Sequence, residues 1–134
     1  MADFFNVKIV TPDRVLYEGQ ANMIEMNTAD GEIGVYAKHI PLTTTLEPGI
    51  VTIHEEEGAR FAVVHSGFVV IMPDEVTLMA EIAEWPDEID VERARAAEDR
   101  ARKRLTESSG DIDTVRAELA LRRALARIEA TERL

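Results

Sequence analysis

Apolar and polar residues alternate in short runs along the first two thirds of the chain, whereas from Asp90 onward apolar residues recur every three or four positions. The first period belongs to half-buried strands and the second to helices with one buried face. Runs rich in Val, Ile, Phe and Thr predict strands over residues 5–10, 15–18, 21–27, 34–36, 42–46, 49–54, 60–65, 68–72 and 75–80. Turn formers punctuate them: Thr11, Pro12 and Asp13; Ala29, Asp30 and Gly31; Glu47, Pro48 and Gly49; Met72, Pro73 and Asp74. So many short strands predict a sandwich or a barrel. Trp85 and Pro86 mark a boundary, because proline restricts the residue before it and cannot donate to a strand ladder. The chain divides into a β domain over 1–85 and a helical domain over 86–134.

Beyond the boundary, Ala, Arg, Glu and Leu dominate, interrupted only at Ser108, Ser109 and Gly110. That pattern predicts an antiparallel helical hairpin, with Asp90 and Asp113 as N-caps and Gly110 closing the first helix in a left-handed conformation. Val91, Ala94, Ala97, Ala101 and Leu105 share one arc of the first helix. Ala117, Ala120, Leu121, Ala124, Leu125 and Ile128 form the main apolar face of the second, and Val115, Leu119 and Ala126 form a minor strip. Beside the two apolar faces run two arginine stripes, Arg93, Arg100 and Arg104 on one helix and Arg116, Arg123 and Arg127 on the other.

Composition narrows the chemistry. In 134 residues, 26 Asp and Glu face 15 Lys and Arg, for a net charge of −11, the wrong sign for a protein that binds nucleic acid through its phosphates. The net negative charge is concentrated in residues 1–84, which carry fourteen acidic side chains against four basic ones, while the remainder is nearly balanced at twelve against eleven. No run approaches the ~18 apolar residues of a spanning helix, and the N-terminus lacks the basic start and apolar stretch of a secretory signal. A soluble, cytosolic protein with no direct membrane span is the expectation. The absence of cysteine removes disulfides, thiolate metal sites and cysteine nucleophiles together.

Guanidinium forks bind phosphate bidentately, so two arginine stripes in one field suit a triphosphate. The same residues interleaved with Glu also describe a solvated face laced with i,i+4 pairs. Asp90 three residues before Arg93 reads first as a helix cap, with a local ion pair explaining the arginine. No glycine-rich loop followed by Lys and Ser or Thr is present, so hydrolysis of the common nucleotide-binding kind is not encoded. His39, His54 and His65, with Glu55, Glu56 and Glu57, offer a metal reading, but no paired-histidine motif occurs and packing explains lone strand histidines as well. Ser66 beside His65 has no geometry for a nucleophile pair. No catalytic or metal residue is assigned.

Gly31, Glu32, Ile33 and Gly34, followed by His39, Ile40, Pro41 and Leu42, resemble the epsilon subunit of bacterial F-type ATP synthases. Val10, Thr11, Pro12 and Asp13 with Val15, Tyr17 and Glu18 are similar to that family's opening strand and turn, and Ser66, Gly67, Phe68, Pro73, Asp74, Val76 and Thr77 to its later hairpin. Asp111, Ile112 and Asp113 with the run from Arg116 to Leu121 are similar to its second helix, so the resemblance covers nearly the whole chain. Tyr36, Ala37 and Lys38 depart from it, standing where the family commonly has a hydrophobic residue, Pro and Gly.

The resemblance implies an α+β fold, an N-terminal ten-stranded antiparallel β-sandwich followed by an antiparallel two-helix hairpin. It implies a non-catalytic rotor subunit of a proton-translocating ATP synthase, peripheral at the cytoplasmic face of the cell membrane. Its partners would be the gamma subunit, the c-ring and the alpha/beta catalytic head, with the hairpin inhibiting ATP hydrolysis. Glu32 and His39 inherit a c-ring contact. Members with a regulatory ATP site carry Ile, Asp, two variable residues, Arg and Ala at the start of the first helix, matched here by Ile89, Asp90, Arg93 and Ala94, while Glu84, Arg100, Arg123 and Arg127 match the other ATP-contacting positions. Arg93, Arg100, Arg123 and Arg127 are also stripe arginines found without the resemblance. A free-standing nucleotide-sensing module and a small metal-dependent barrel are the competing readings.

Overall fold

The computed structural model describes residues 3–107 and 111–133, the first three of the second stretch by backbone alone. Eight strands come first: β1 (Phe5–Val10), β2 (Val15–Ala21), β3 (Met23–Thr28), β4 (Gly31–Val35), β5 (Leu42–Thr45), β6 (Gly49–Glu55), β7 (Gly58–Ile71) and β8 (Glu75–Glu84). A 3-10 turn (Pro86–Glu88) leads to α1 (Val91–Glu107) and α2 (Asp111–Thr131). The strands hydrogen-bond in the order β2-β1-β8-β7-β6-β3-β4, with β5 also on β7.

Two layers arise because β7 changes partner along its length. Its first half pairs with β6 from Gly58 to Val64, and its last four residues pair with β5. Between the halves, Ser66 (φ 57°) and Gly67 (φ 116°) adopt left-handed conformations that bend the strand without ending it. A Cβ at Gly67 would collide with the Met79 carbonyl oxygen, so only glycine fits there. Ile9, Ile24, Ile53, Ile71 and Leu78, all fully buried, fill the core between the layers.

Several expectations are corrected. The predicted strands over 60–65 and 68–72 are the single strand β7, because Ser66 and Gly67, left between them, form an internal bend rather than a turn. Ala21 closes β2 rather than opening β3, with the Asn22 N–H turned to the His54 carbonyl at 2.9 Å. The strands number eight among the described residues, neither nine nor ten. One pair, β1 with β8, is parallel within the otherwise antiparallel sandwich, which is possible because the whole domain intervenes as the crossover. The backbone of α2 begins at Asp111, two residues ahead of the cap expected at Asp113; the Asp113 side chain and Gly110 lie outside the described residues.

The helices pair through small side chains. Ala94 and Ala101 of α1 and Ala117 and Ala124 of α2 are buried, whereas Ala120 and Leu125 of the predicted main face are exposed. From the minor strip, Ala126 turns to the sandwich, where it and Ala130 pack on Val63 with Ile50 and Ile89 beside them. Val115 of the same strip stays exposed. No helix of the described residues is long and apolar enough to cross a membrane.

Candidate functional site

Where the last strand hands over to the first helix, the backbone is held by the sandwich. Trp85 meets Tyr17 edge to face at a centroid separation of 6.3 Å, and the Arg60 guanidinium lies 4.2 Å from the Trp85 ring centroid. Arg14, from the β1–β2 turn, donates two hydrogen bonds to Glu88, at 2.8 and 2.7 Å, and a third to the Ala83 carbonyl at 3.2 Å. Glu88 also accepts from the Trp85 N–H at 2.9 Å. The Arg14 fork, and then the Trp85 bond, hold its carboxyl down at about 2.

One residue beyond Ile89, the Asp90 carboxylate accepts the Arg93 backbone N–H at 3.2 Å, and the Asp90 carbonyl accepts the first helical bond, from Ala94, at 3.0 Å. Asp90 is therefore an N-cap. Capping fixes the start of α1, and the helical period then brings Arg93, Ala97 and Arg100 to one face, beside Ala94.

These elements and α2 enclose a cavity of about 360 Å³ lined by Glu84, Glu88, Ile89, Asp90, Arg93, Ala94, Ala97, Arg100 and Arg127. Seven of the eight residues expected to meet ATP are in it. The eighth, Arg123, is not; its guanidinium donates to the Ser66 hydroxyl at 3.1 Å instead. Arg104 and Arg116 also lie outside the lining, so the two stripes meet only at one end of the hairpin. Glu88 and Ala97 are lining residues that sequence reasoning missed. Ala97 is four residues after Arg93 and three before Arg100, a spacing that identifies it; Glu88 has no comparable signal, because its partner is 74 positions away.

The charges in this cavity are unevenly spent. Glu84 Oε1 accepts from Arg127 Nε at 2.8 Å and from His65 Nε2 at 3.3 Å. Hydrogen bonds from His65 and from Arg127 hold the Glu84 carboxyl below its usual range against the opposing pull of burial. Both Glu88 oxygens are taken by Arg14, and one Asp90 oxygen is taken by the cap. The Arg93 and Arg100 guanidiniums, by contrast, are exposed and have no partner among the described residues. Acid satisfied within the protein and arginine left open are an arrangement that can accept the hydrogen-bond acceptors of an anion.

Glu32 and His39 have different surroundings. Glu32 lines a groove of about 510 Å³ between β3, β4 and β6 on one side and, on the other, Arg122, Leu125, Ala126 and Glu129 of α2 with Arg133 just beyond its end. His39 belongs to the β4–β5 loop, its Nδ1 2.6 Å from the Ile40 carbonyl, between the exposed Tyr36 and Leu42 and next to Ile40, which is 76% exposed. Lys38, at the departure from the family pattern, adopts φ 67°. Of the other histidines, His54 pairs with Glu25 at 2.6 Å. No three metal-ligating side chains gather among the described residues.

Comparison with known proteins agrees with this architecture. Residues 4–86 match the model of the ATP synthase delta/epsilon chain β-sandwich domain, and residues 87–132 match that of the long α-helix domain. The ATP synthase epsilon chain of Halalkalibacterium halodurans is 45% identical over 129 residues, 96% of this chain and 97% of that one. That of Ruminiclostridium cellulolyticum is 41% identical over 133 residues, 99% and 98% of the two chains. Among solved structures, a chain of the Euglena gracilis mitochondrial ATP synthase, in an assembly of OSCP, F1 and c-ring, superposes with a TM-score of 0.80 at 25% identity, covering 96% of this chain and 79% of its own. The chain thus belongs to the epsilon-chain family of ATP synthases, non-catalytic subunits of that enzyme.

Proposed function

We propose that this chain is a central-stalk subunit of a proton-translocating ATP synthase, held peripherally at the cytoplasmic face of the membrane, whose hairpin senses ATP and restrains ATP hydrolysis. The β-sandwich would be fixed to the gamma subunit and seated on the c-ring. The exposed Tyr36, Ile40 and Leu42 beside His39 offer apolar surface for that contact. The hairpin would act on the alpha/beta head after leaving the sandwich.

The observation that carries ATP sensing is the single cavity that gathers Glu84, Ile89, Asp90, Arg93, Ala94, Arg100 and Arg127 from three elements, with two guanidiniums open. Its volume is in the range of small-ligand sites, ~300–1,000 Å³. Ile89, Ala94 and Ala97 give it an apolar wall suited to a base, and Arg93, Arg100 and Arg127 a cationic one suited to phosphates. Arg127 exchanges its Glu84 partner for a phosphate or shares between them. Because the walls come from the sandwich edge, α1 and α2 together, ATP binds only the closed hairpin and shifts the population toward it by its differential affinity for the two forms. Mg²⁺ has no assigned role.

Calorimetric titration with ATP, with and without Mg²⁺, tests the site. Arg93→Ala should weaken binding by ~1.5–3 kcal/mol, the range for a hydrogen bond to a charged group. Parent-like affinity in that variant would show that the open arginines face solvent only. In the assembled enzyme, deleting everything after Glu88 should raise ATP hydrolysis, and an unchanged rate would remove the inhibitory role.

A further inference from the structure

The face of β7 turned toward α2 holds a titratable side chain that the nucleotide site does not use. Val63 and His65 are two residues apart and therefore share a face, and Val63 packs against Ala126 and Ala130 of α2. His65 is fully buried on the same face. From β8, Glu84 accepts its Nε2 hydrogen at 3.3 Å; from α2, the Arg127 and Arg123 charges act on the ring. Arg123 also donates to the hydroxyl of Ser66, the next residue. These three are the charged groups that bear on the ring.

The tautomer follows from the partner. Glu84 is an ionised carboxylate and only accepts, so Nε2 carries the hydrogen and Nδ1 carries the lone pair. Nδ1 is buried without a hydrogen-bond partner among the described residues. A proton placed on Nδ1 would be a buried donor with nothing to accept it, in the field of two arginines. When α2 lifts away, the arginines leave with it and water reaches both nitrogens.

We propose that His65 is a positioning residue of the clasp between hairpin and sandwich, and that the hairpin docks only over a neutral His65 ring, so that acidification releases it. The neutral ring holds Glu84, and Glu84 holds Arg127. Burial keeps the docked ring below its ordinary value, overriding the Glu84 bond, and Arg127 and Arg123 add to the depression. The released ring returns toward about 6.5. The undocked form therefore binds more protons. Docking is at full strength above about 6.5 and weakens as pH falls below it, by at most tenfold in its equilibrium constant per pH unit. Glu84 stays ionised through this interval because its own value is lowered.

The native chain has no cysteine, so Thr43→Cys on β5 and Glu118→Cys on α2, both at exposed positions, give one donor–acceptor pair for energy transfer in the full-length protein. Transfer is recorded from pH 8 to 5.5 without nucleotide, with circular dichroism to confirm folding. The parent should lose transfer below about pH 6.5, while His65→Gln, which keeps a donor for Glu84 and cannot titrate, should stay docked and flat. His65→Asn, shorter by one methylene, is the second variant. A flat parent, a parent-like pH dependence in both variants, or both variants undocked at pH 8 would each overturn the proposal. Because no nucleotide is present, its failure leaves ATP sensing standing, and absence of ATP binding leaves the clasp standing.

Discussion

The sandwich and the hairpin bury different kinds of side chain. The core of the first is mostly isoleucine, valine, leucine and methionine, with Phe5, Tyr17 and four alanines among them, nearly all inaccessible to solvent. The buried residues of the second are alanines: Ala94, Ala101, Ala117, Ala124, Ala126 and Ala130. A fully buried Ile or Leu contributes ~1.5–3 kcal/mol, whereas an alanine brings one carbon, worth ~0.8 kcal/mol at the CH₂ rate. The sandwich is stabilised by apolar burial. The hairpin is held on it largely by polar contacts: Arg127 to Glu84, Arg123 to Ser66 and Arg122 to Glu47 at 3.4 Å, with Arg133 over the Phe61 ring at 5.0 Å. Contacts of that kind exchange readily for others of similar strength, which is what a part that docks and releases requires.

The contrast breaks most visibly where the sandwich is cut. Ile53→Ala should cost ~2–5 kcal/mol in urea unfolding of the full chain, the range for emptying a core position. A loss under ~1 kcal/mol would mean that the sandwich does not carry the stability of the molecule.

A second change strikes the alanine interface. Ala101→Leu puts three extra carbons between α1 and α2 where the side chain is buried, and overpacking costs ~1–3 kcal/mol. The loss should appear as separation of the helices, read by hydrogen exchange in α1 and α2, while exchange in β6 and β7 keeps its parent rate. Equal acceleration in both regions would show that the two unfold as one unit.

The difference between the regions also decides how much could be read from sequence. Alternation and turn residues located every strand, because those signals are local. They failed at Ser66 and Gly67, where a glycine that looks like a stop bends a continuous strand. In the hairpin, helical period placed Ala94, Ala101, Ala117 and Ala124 inside, but it could not tell that α2 docks on the sandwich through Ala126 and Ala130 rather than through Leu125, since the docking surface lies 60 to 80 positions earlier. For the site, seven of the eight expected residues line one cavity: one motif supplies Ile89, Asp90, Arg93 and Ala94, the two stripes add Arg100 and Arg127, and Glu84 follows from the resemblance alone. Glu88 and the true partners of Arg123 and Glu84 depend on contacts distant in sequence, with Arg14, Ser66 and His65, and no period reports those.

Between the two regions, the Arg14–Glu88 pair has its own pH signature. The folded carboxyl is held at about 2, so its contribution is complete above the unfolded value of about 4.3 and is lost as pH falls toward 2. Both groups are well exposed, which limits the effect to the modest level of surface pairs. Glu88→Gln should flatten the acid limb of linker protection in hydrogen exchange at Trp85 and Ile89, with the sandwich core unaffected. A parent-like acid limb in the variant would assign that limb to other carboxylates.

The smallest expected effect belongs to Lys38. Its φ of 67° is left-handed, a conformation that costs a residue with a Cβ ~1–2 kcal/mol and costs glycine little. The chain holds it there because the Lys38 N–H donates to the Pro73 carbonyl at 2.7 Å, tying the β4–β5 loop to the β7–β8 turn. The Lys38 ammonium does meet Asp3 at 3.3 Å, but both groups are largely exposed and the pair contributes little. Lys38→Gly keeps the backbone bond and removes the strain, against the greater entropy of glycine in the unfolded chain. The balance should be a gain of about 0.5 kcal/mol in urea unfolding, with no change in the energy transfer that reports hairpin docking. A gain in sandwich stability that also altered docking would show that the loop end of the sandwich and its helix-bearing face are coupled, and the division drawn between a rigid β core and an independently held hairpin would fail at that point.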